Sequence, residues 1–134
     1  MRTIIILAAF FSLAVSAKAQ ESKKIVYPLV VEFHSHCCGV PSEQPLLNYI
    51  HSFKKAQRIK KIKAWHIGPM GREGEYYLAF SLKELNKRQK KIFISNVKAV
   101  TAKMKDKGSA SLSVNKEVDM EALSGRATAE LQNL

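Results

Sequence analysis

Residues 68–74, GPMGREG, place three glycines and a proline in seven positions, and such a run breaks regular structure. It separates a second strand, Ile59–Ile67, from the clearest alternation in the chain. In that alternation Tyr76, Leu78, Phe80 and Leu82 oppose Tyr77, Ala79 and Ser81. Two strand-like runs joined by a glycine-rich turn make an antiparallel hairpin. On either side of the hairpin the period changes to that of a helix. Upstream, Leu46, Tyr49, Ile50 and Phe53 predict an amphipathic helix over Glu43–Gln57, with Ser42 as N-cap and Pro45 in the first turn. Downstream, Leu85, Ile92, Phe93, Val97, Val100 and Met104 predict a second helix over Lys83–Lys105, stopped by Gly108.

The flanks complete the pattern. Ile25–Phe33 is β-branched and apolar, with Leu29, Val31 and Phe33 alternating against Val30, Glu32 and His34. Pro28 must sit near its start or beside a missing ladder bond. Ala110, Leu112 and Val114 alternate with serines as a short fourth strand. The order is therefore βαββαβ. Its economical packing is a four-stranded antiparallel sheet with both helices on one face, the ferredoxin-like α+β topology. Right-handed crossovers put the helices on the same side.

The ends are read separately. Arg2 precedes an apolar run from Ile4 to about Val15, and Ala17-Lys18-Ala19 supplies small residues for cleavage, so 1–19 reads as a secretory signal. No cysteine follows it closely, which argues against a lipid anchor, and no second apolar run follows. A periplasmic or secreted mature chain is expected. Residues 20–118 form its domain, and 119–134 form a tail with some helical pattern broken at Gly125.

Loss of Arg2 and Lys18 with the signal leaves 20 Lys and Arg against 11 Asp and Glu, a formal charge of +9. The excess is concentrated in two runs. Lys54, Lys55, Arg58, Lys60, Lys61 and Lys63 form the first, and Lys87, Arg88, Lys90 and Lys91 the second. Such a field favours an anionic envelope component or another polyanion, or serves as a solvated face. If Leu29, Val31, Phe33, Leu78 and Phe80 face the helices, then Glu32, His34, Trp65 and Tyr77 face outward. That aromatic surface suits a protein partner or a sheet-to-sheet homodimer. Base stacking of the kind seen in RNA-recognition domains is disfavoured by export and by the missing RNP signature.

Both cysteines and two of the four histidines fall in HSHCCGVP, residues 34–41, where the first strand turns toward the first helix. Thiolate and imidazole are ligands for Cu(I) and Zn(II). His34 and His36 are two apart and project alike from an extended chain. Cys37 and Cys38 stand near a helix N-terminus, which lowers a thiol pKa. The assumed topology brings the end of the first hairpin strand to the same end of the domain, so His66 and Met70 join His34, His36, Cys37 and Cys38 as candidate ligands. The position resembles that of the metal loop in small ferredoxin-like copper chaperones, between strand one and helix one. Those proteins separate their cysteines by two residues, whereas here they are adjacent. A vicinal Cys37–Cys38 disulfide, a covalent dimer through these cysteines, or thiol redox chemistry are the competing readings.

Enzymatic readings find little footing. C-x-x-C spacing is absent, and no Asn or Asp accompanies a histidine as a cysteine-protease orienter would. Glu73 and Glu75 have no partner acid, GPMGREG fits no phosphate-binding pattern, and His51 lies off the apolar stripe of its helix. A binding protein is the expectation. N-terminal sequencing of the exported protein should find a start at, or within a residue or two of, Gln20; an intact Met1 would overturn the compartment and the cysteine chemistry argued from it.

Overall fold

The computed structural model describes residues 24–119 together with the backbone of 127–131. The expected signal sequence, and the part of the tail around Gly125, lie outside the described residues. The elements are β1 (Lys24–Ser35), α1 (Gln44–Gln57), β2 (Ala64–Gly68), β3 (Tyr76–Phe80), α2 (Lys87–Thr101), β4 (Gly108–Asp119) and β5 (Ala127–Leu131). All strands join one sheet in the order β4-β1-β3-β2-β5, with every neighbouring pair antiparallel. The first four strands and the two helices have the ferredoxin-like arrangement. Residues 127–131, in the tail whose spacing suggested some helix, instead add β5 as a fifth strand beside β2. No helix among the described residues is long and apolar enough to cross a membrane.

Local chemistry explains where elements start. α2 begins at Lys87, four residues later than its apolar stripe implied, because Asn86 and Gln89 form a reciprocal cap: Gln89 N–H donates to Asn86 Oδ1 at 2.9 Å and Asn86 N–H to Gln89 Oε1 at 3.0 Å. At α1 the cap position is Glu43, while the expected cap, Ser42, accepts from Gln44 N–H through its hydroxyl at 3.3 Å. Pro45 occupies the first turn, where its missing N–H is harmless. β4 spans 12 residues and is far longer than Ala110–Val114. Its second half, Asn-Lys-Glu-Val-Asp, is polar because β4 lies at the sheet edge, where strand signals weaken.

The helix-side core contains Leu29, Val31 and Phe33 of β1, Leu78 and Phe80 of β3, Leu46, Ile50 and Phe53 of α1, and Phe93 and Val97 of α2, as the alternation implied. The other sheet face carries a second cluster: Tyr27, Val30, Ile67, Ala79 and Val118, packed with Trp65, Met70 and Tyr77. Tyr27 belongs to it although strict alternation from Leu29 would turn it toward the helices. The reason lies at one cross-strand position. β1 and β4 pair on both sides of Pro28 but not at it, and Asn115, which would face it, has a left-handed backbone with φ 53°. Proline has no ladder donor and asparagine tolerates that conformation. Both strands therefore change phase together, so that Ile25, Tyr27, Lys116 and Val118 share a face with Val30, Glu32 and Ser113.

On that face Glu32 is buried, accepting from Ser113 Oγ at 2.5 Å and from Lys116 Nζ. Burial alone would push its carboxyl up, but the hydrogen bonds from Lys116 and Ser113 and the Lys116 charge outweigh it and hold the pKa below the ordinary value. Burial opposes the charge on Lys116, yet Glu32 raises its pKa. The ammonium also lies 4.3 Å from the centre of the Tyr77 ring. A depressed carboxylate pKa stabilises the fold above the unfolded value and loses that contribution as pH falls through the folded one. Lys116→Met should therefore destabilise by about 2–4 kcal/mol at neutral pH, because it strands a buried carboxylate. Urea melts should show the gap from wild type closing once acid protonates Glu32. An equal gap at both pH values would refute this account.

Candidate functional site

β1 runs past the cover of the core and carries the histidines with it. His34 Nε2 lies 3.3 Å from Ser111 Oγ, and His36 Nε2 lies 3.2 Å from Ser109 Oγ. With Glu32 and Ser113 these make three successive diagonal pairs on the face away from the helices, two between β1 and β4 and the third from His36, the residue just after β1. His34 Nε2 is also 4.0 Å from Glu32 Oε2. A serine hydroxyl on one ring nitrogen fixes the ring plane and leaves Nδ1 as the remaining coordinating or hydrogen-bonding atom.

The chain then turns. Cys37 and Cys38 are exposed and joined to one another as a vicinal disulfide. His36 N–H donates to Lys107 O at 3.4 Å, and Gly39 N–H donates to Ser35 Oγ at 3.3 Å. Gly39 has φ 109°, a conformation that side chains resist. Gly108 is constrained by space, since a Cβ there would run into the His34 carbonyl.

Beneath this turn stands a clamp that the sequence did not reveal. The Tyr76 ring stacks between Phe33 and His66, each at 4.4 Å between centres. Its hydroxyl donates to Glu43 Oε2 at 2.9 Å. Burial, and then the nearby Glu43 charge, push this phenol's pKa far upward, so it stays a donor. β3 is thereby tied to the start of α1. The one available signal was Tyr76 at an inward position, where a buried hydroxyl needs an acceptor.

The expected ligand set is only partly gathered. His34 and His36 share a face beside the cysteines. His66, paired in register with Leu78, lies on the helix side against Tyr76. Met70 packs with the second cluster on the opposite side. Among the described residues no group of three or more His, Cys, Asp or Glu stands where it could hold a metal. With the sulfurs bonded to each other, neither is a thiolate. Trp65 and Tyr77 do lie on the outer face, but half-buried within the second cluster, and the Trp65 ring packs 5.6 Å from Tyr27. They are not free stacking platforms. His51 is exposed.

The opposite end of the domain is basic. The end of α1 meets the start of α2 around a hollow of about 430 Å³, lined by Arg58, Lys60, Lys61, Glu84 and Gln89 among others. The two lysine-rich runs, distant in sequence, thus share one end of the helix layer. Arg58, Lys60, Lys63, Lys87, Arg88 and Lys91 are exposed, whereas Lys54 and Lys90 are half-buried. Arg58 ends α1 in a left-handed conformation at φ 53°, with its N–H donating to the carbonyls of Lys54 and Lys55. Comparison with protein-family models, curated proteins and solved structures finds no match to this chain.

Proposed function

We propose that the protein is an exported binding protein that docks on a polyanionic component of the cell envelope through its basic end. The observation that carries this reading is that the end of α1 and the start of α2, each carrying a basic run, come together at one end of the helix layer, where Arg58, Lys60 and Lys61 line a hollow beside Gln89 of the second run. Lysine predominates there, which suits attraction to a diffuse array of charge better than bidentate recognition of one group. Arg58 adds weight, because glycine would occupy its left-handed position at lower conformational cost. On vesicles rich in phosphatidylglycerol, affinity should fall steeply between low and high salt. Lys60→Glu with Lys63→Glu should weaken binding by roughly tenfold or more, at about 1 kcal/mol per lost lysine and more on reversal, without changing the melting temperature. Arg58→Gly should weaken binding while raising stability by about 0.5–1 kcal/mol. Salt-independent binding, or none at low salt, would reduce these lysines to a solubility device.

A second reading rests on the other end. His34 and His36 are oriented alike by Ser111 and Ser109, immediately before two exposed sulfurs. These four side chains do not stand together as a ligand set in the disulfide form; reduction would free two thiols to turn toward the imidazoles and complete a candidate soft-metal site for Cu(I) or Zn(II). The reduced protein should then take up about one equivalent of metal, less tightly as acid protonates imidazole. Cys37→Ser with Cys38→Ser should abolish uptake and leave the fold intact, because both residues are exposed and close the shortest possible loop. Equal uptake by the double variant, or none by reduced wild type, would leave the pair structural.

A further inference from the structure

The helix layer holds a second concavity, at the cysteine end and remote from the basic hollow. It lies where the first turns of α1 meet the last turns of α2 and has a volume of about 650 Å³. That is the size range of sites for small organic ligands. Its walls are Pro45 and Tyr49 of α1 with Ala99 and Val100 of α2, and Met104 lies at the start of the connection to β4. Asn96, Lys103, Lys105 and Asp106 supply the polar groups. An apolar body with a few convergent polar groups is the usual composition of a ligand site.

Two details say what would fit. The Tyr49 hydroxyl is shut away from solvent, with the Asn96 side chain beside it. Burial raises the Tyr49 pKa, so the phenol remains a neutral donor. The ionic groups are two lysines against one aspartate, which leaves the opening net positive. A neutral apolar molecule would ignore that charge, and a cation would be repelled.

We propose that this cleft binds a small amphipathic anion, an aromatic ring system or short acyl chain bearing one carboxylate or sulfonate. The apolar body lies between Tyr49, Val100 and Met104, and the anionic group faces Lys103 and Lys105. Tyr49 lends its ring to the apolar wall, and the exposed Asn96 side chain offers hydrogen bonds at the rim. Nothing in this depends on the state of the cysteines or on the basic end.

The test uses two fluorescent probes on the mature chain: anilinonaphthalene sulfonate, and phenylnaphthylamine, which has the same rings without the charge. Saturable binding of the sulfonate at one site is expected, roughly tenfold tighter than the neutral probe, the scale of one charge-assisted hydrogen bond. Ala99 is exposed, so Ala99→Trp fills the opening without disturbing the core and should abolish binding. Lys103→Glu should weaken the sulfonate and leave phenylnaphthylamine unchanged. Absence of saturable binding, equal affinity for the two probes, or a signal that survives Ala99→Trp and is lost in the Lys60→Glu, Lys63→Glu variant would each overturn the proposal.

Discussion

β1 is enclosed on both faces, and the rest of the molecule is arranged to enclose it. Leu29, Val30 and Val31 are consecutive, so they point to alternate sides, and none is exposed. Each such side chain contributes about 1.5–3 kcal/mol on burial. Two covers are needed to collect that stabilisation. The helices supply one over Leu29, Val31 and Phe33. Tyr27, Trp65, Ile67 and Tyr77 help supply the other around Val30. β3 and β4 flank β1 directly, and β2 and β5 are placed through β3. The histidine-bearing end of β1 is an extension of this strand, held straight by the same ladder that serves the core.

Much of this architecture was legible because it rests on short-range signals. The period-two run Tyr76–Leu82, the helical stripes and the glycine-rich turn each follow from neighbouring residues, and together they admit few topologies. What escaped depended on register. The loop from Gly68 to Gly74 permits slips of one residue, and a slip of one turns every side chain to the other face. His66 could not be assigned a side until its pairing with Leu78 was known, so it was grouped with His34. Ser109, Ser111 and Ser113 were visible as an alternating set. Their partnership with His36, His34 and Glu32 requires knowing that β4 lies beside β1 in that alignment.

The phase change at Pro28 and Asn115 was half visible. Proline announced a missing ladder bond, but nothing local said that Asn115, 87 positions away, would take a left-handed backbone opposite it. β5 was missed for a related reason. It is a five-residue edge strand of unremarkable composition, and its assignment comes from β2 rather than from its own sequence. In the candidate sites, the adjacency of the cysteines and the two basic runs could be read directly. The Tyr76–Glu43 clamp and the cleft beside Tyr49 are products of packing between distant segments.

The antiparallel course of α1 and α2 has a geometric consequence. It brings the two lysine-rich runs to one extremity and leaves the histidine–cysteine turn at the other, with a helix of 14 residues, about 20 Å at 1.5 Å per residue, between them. The two extremities of the helix layer therefore differ in chemistry. Any surface that grips the lysine-rich extremity sets the tilt of the whole body and holds the disulfide turn aloft, facing the medium. On the proposed docking, attachment at one extremity would by itself turn the other outward.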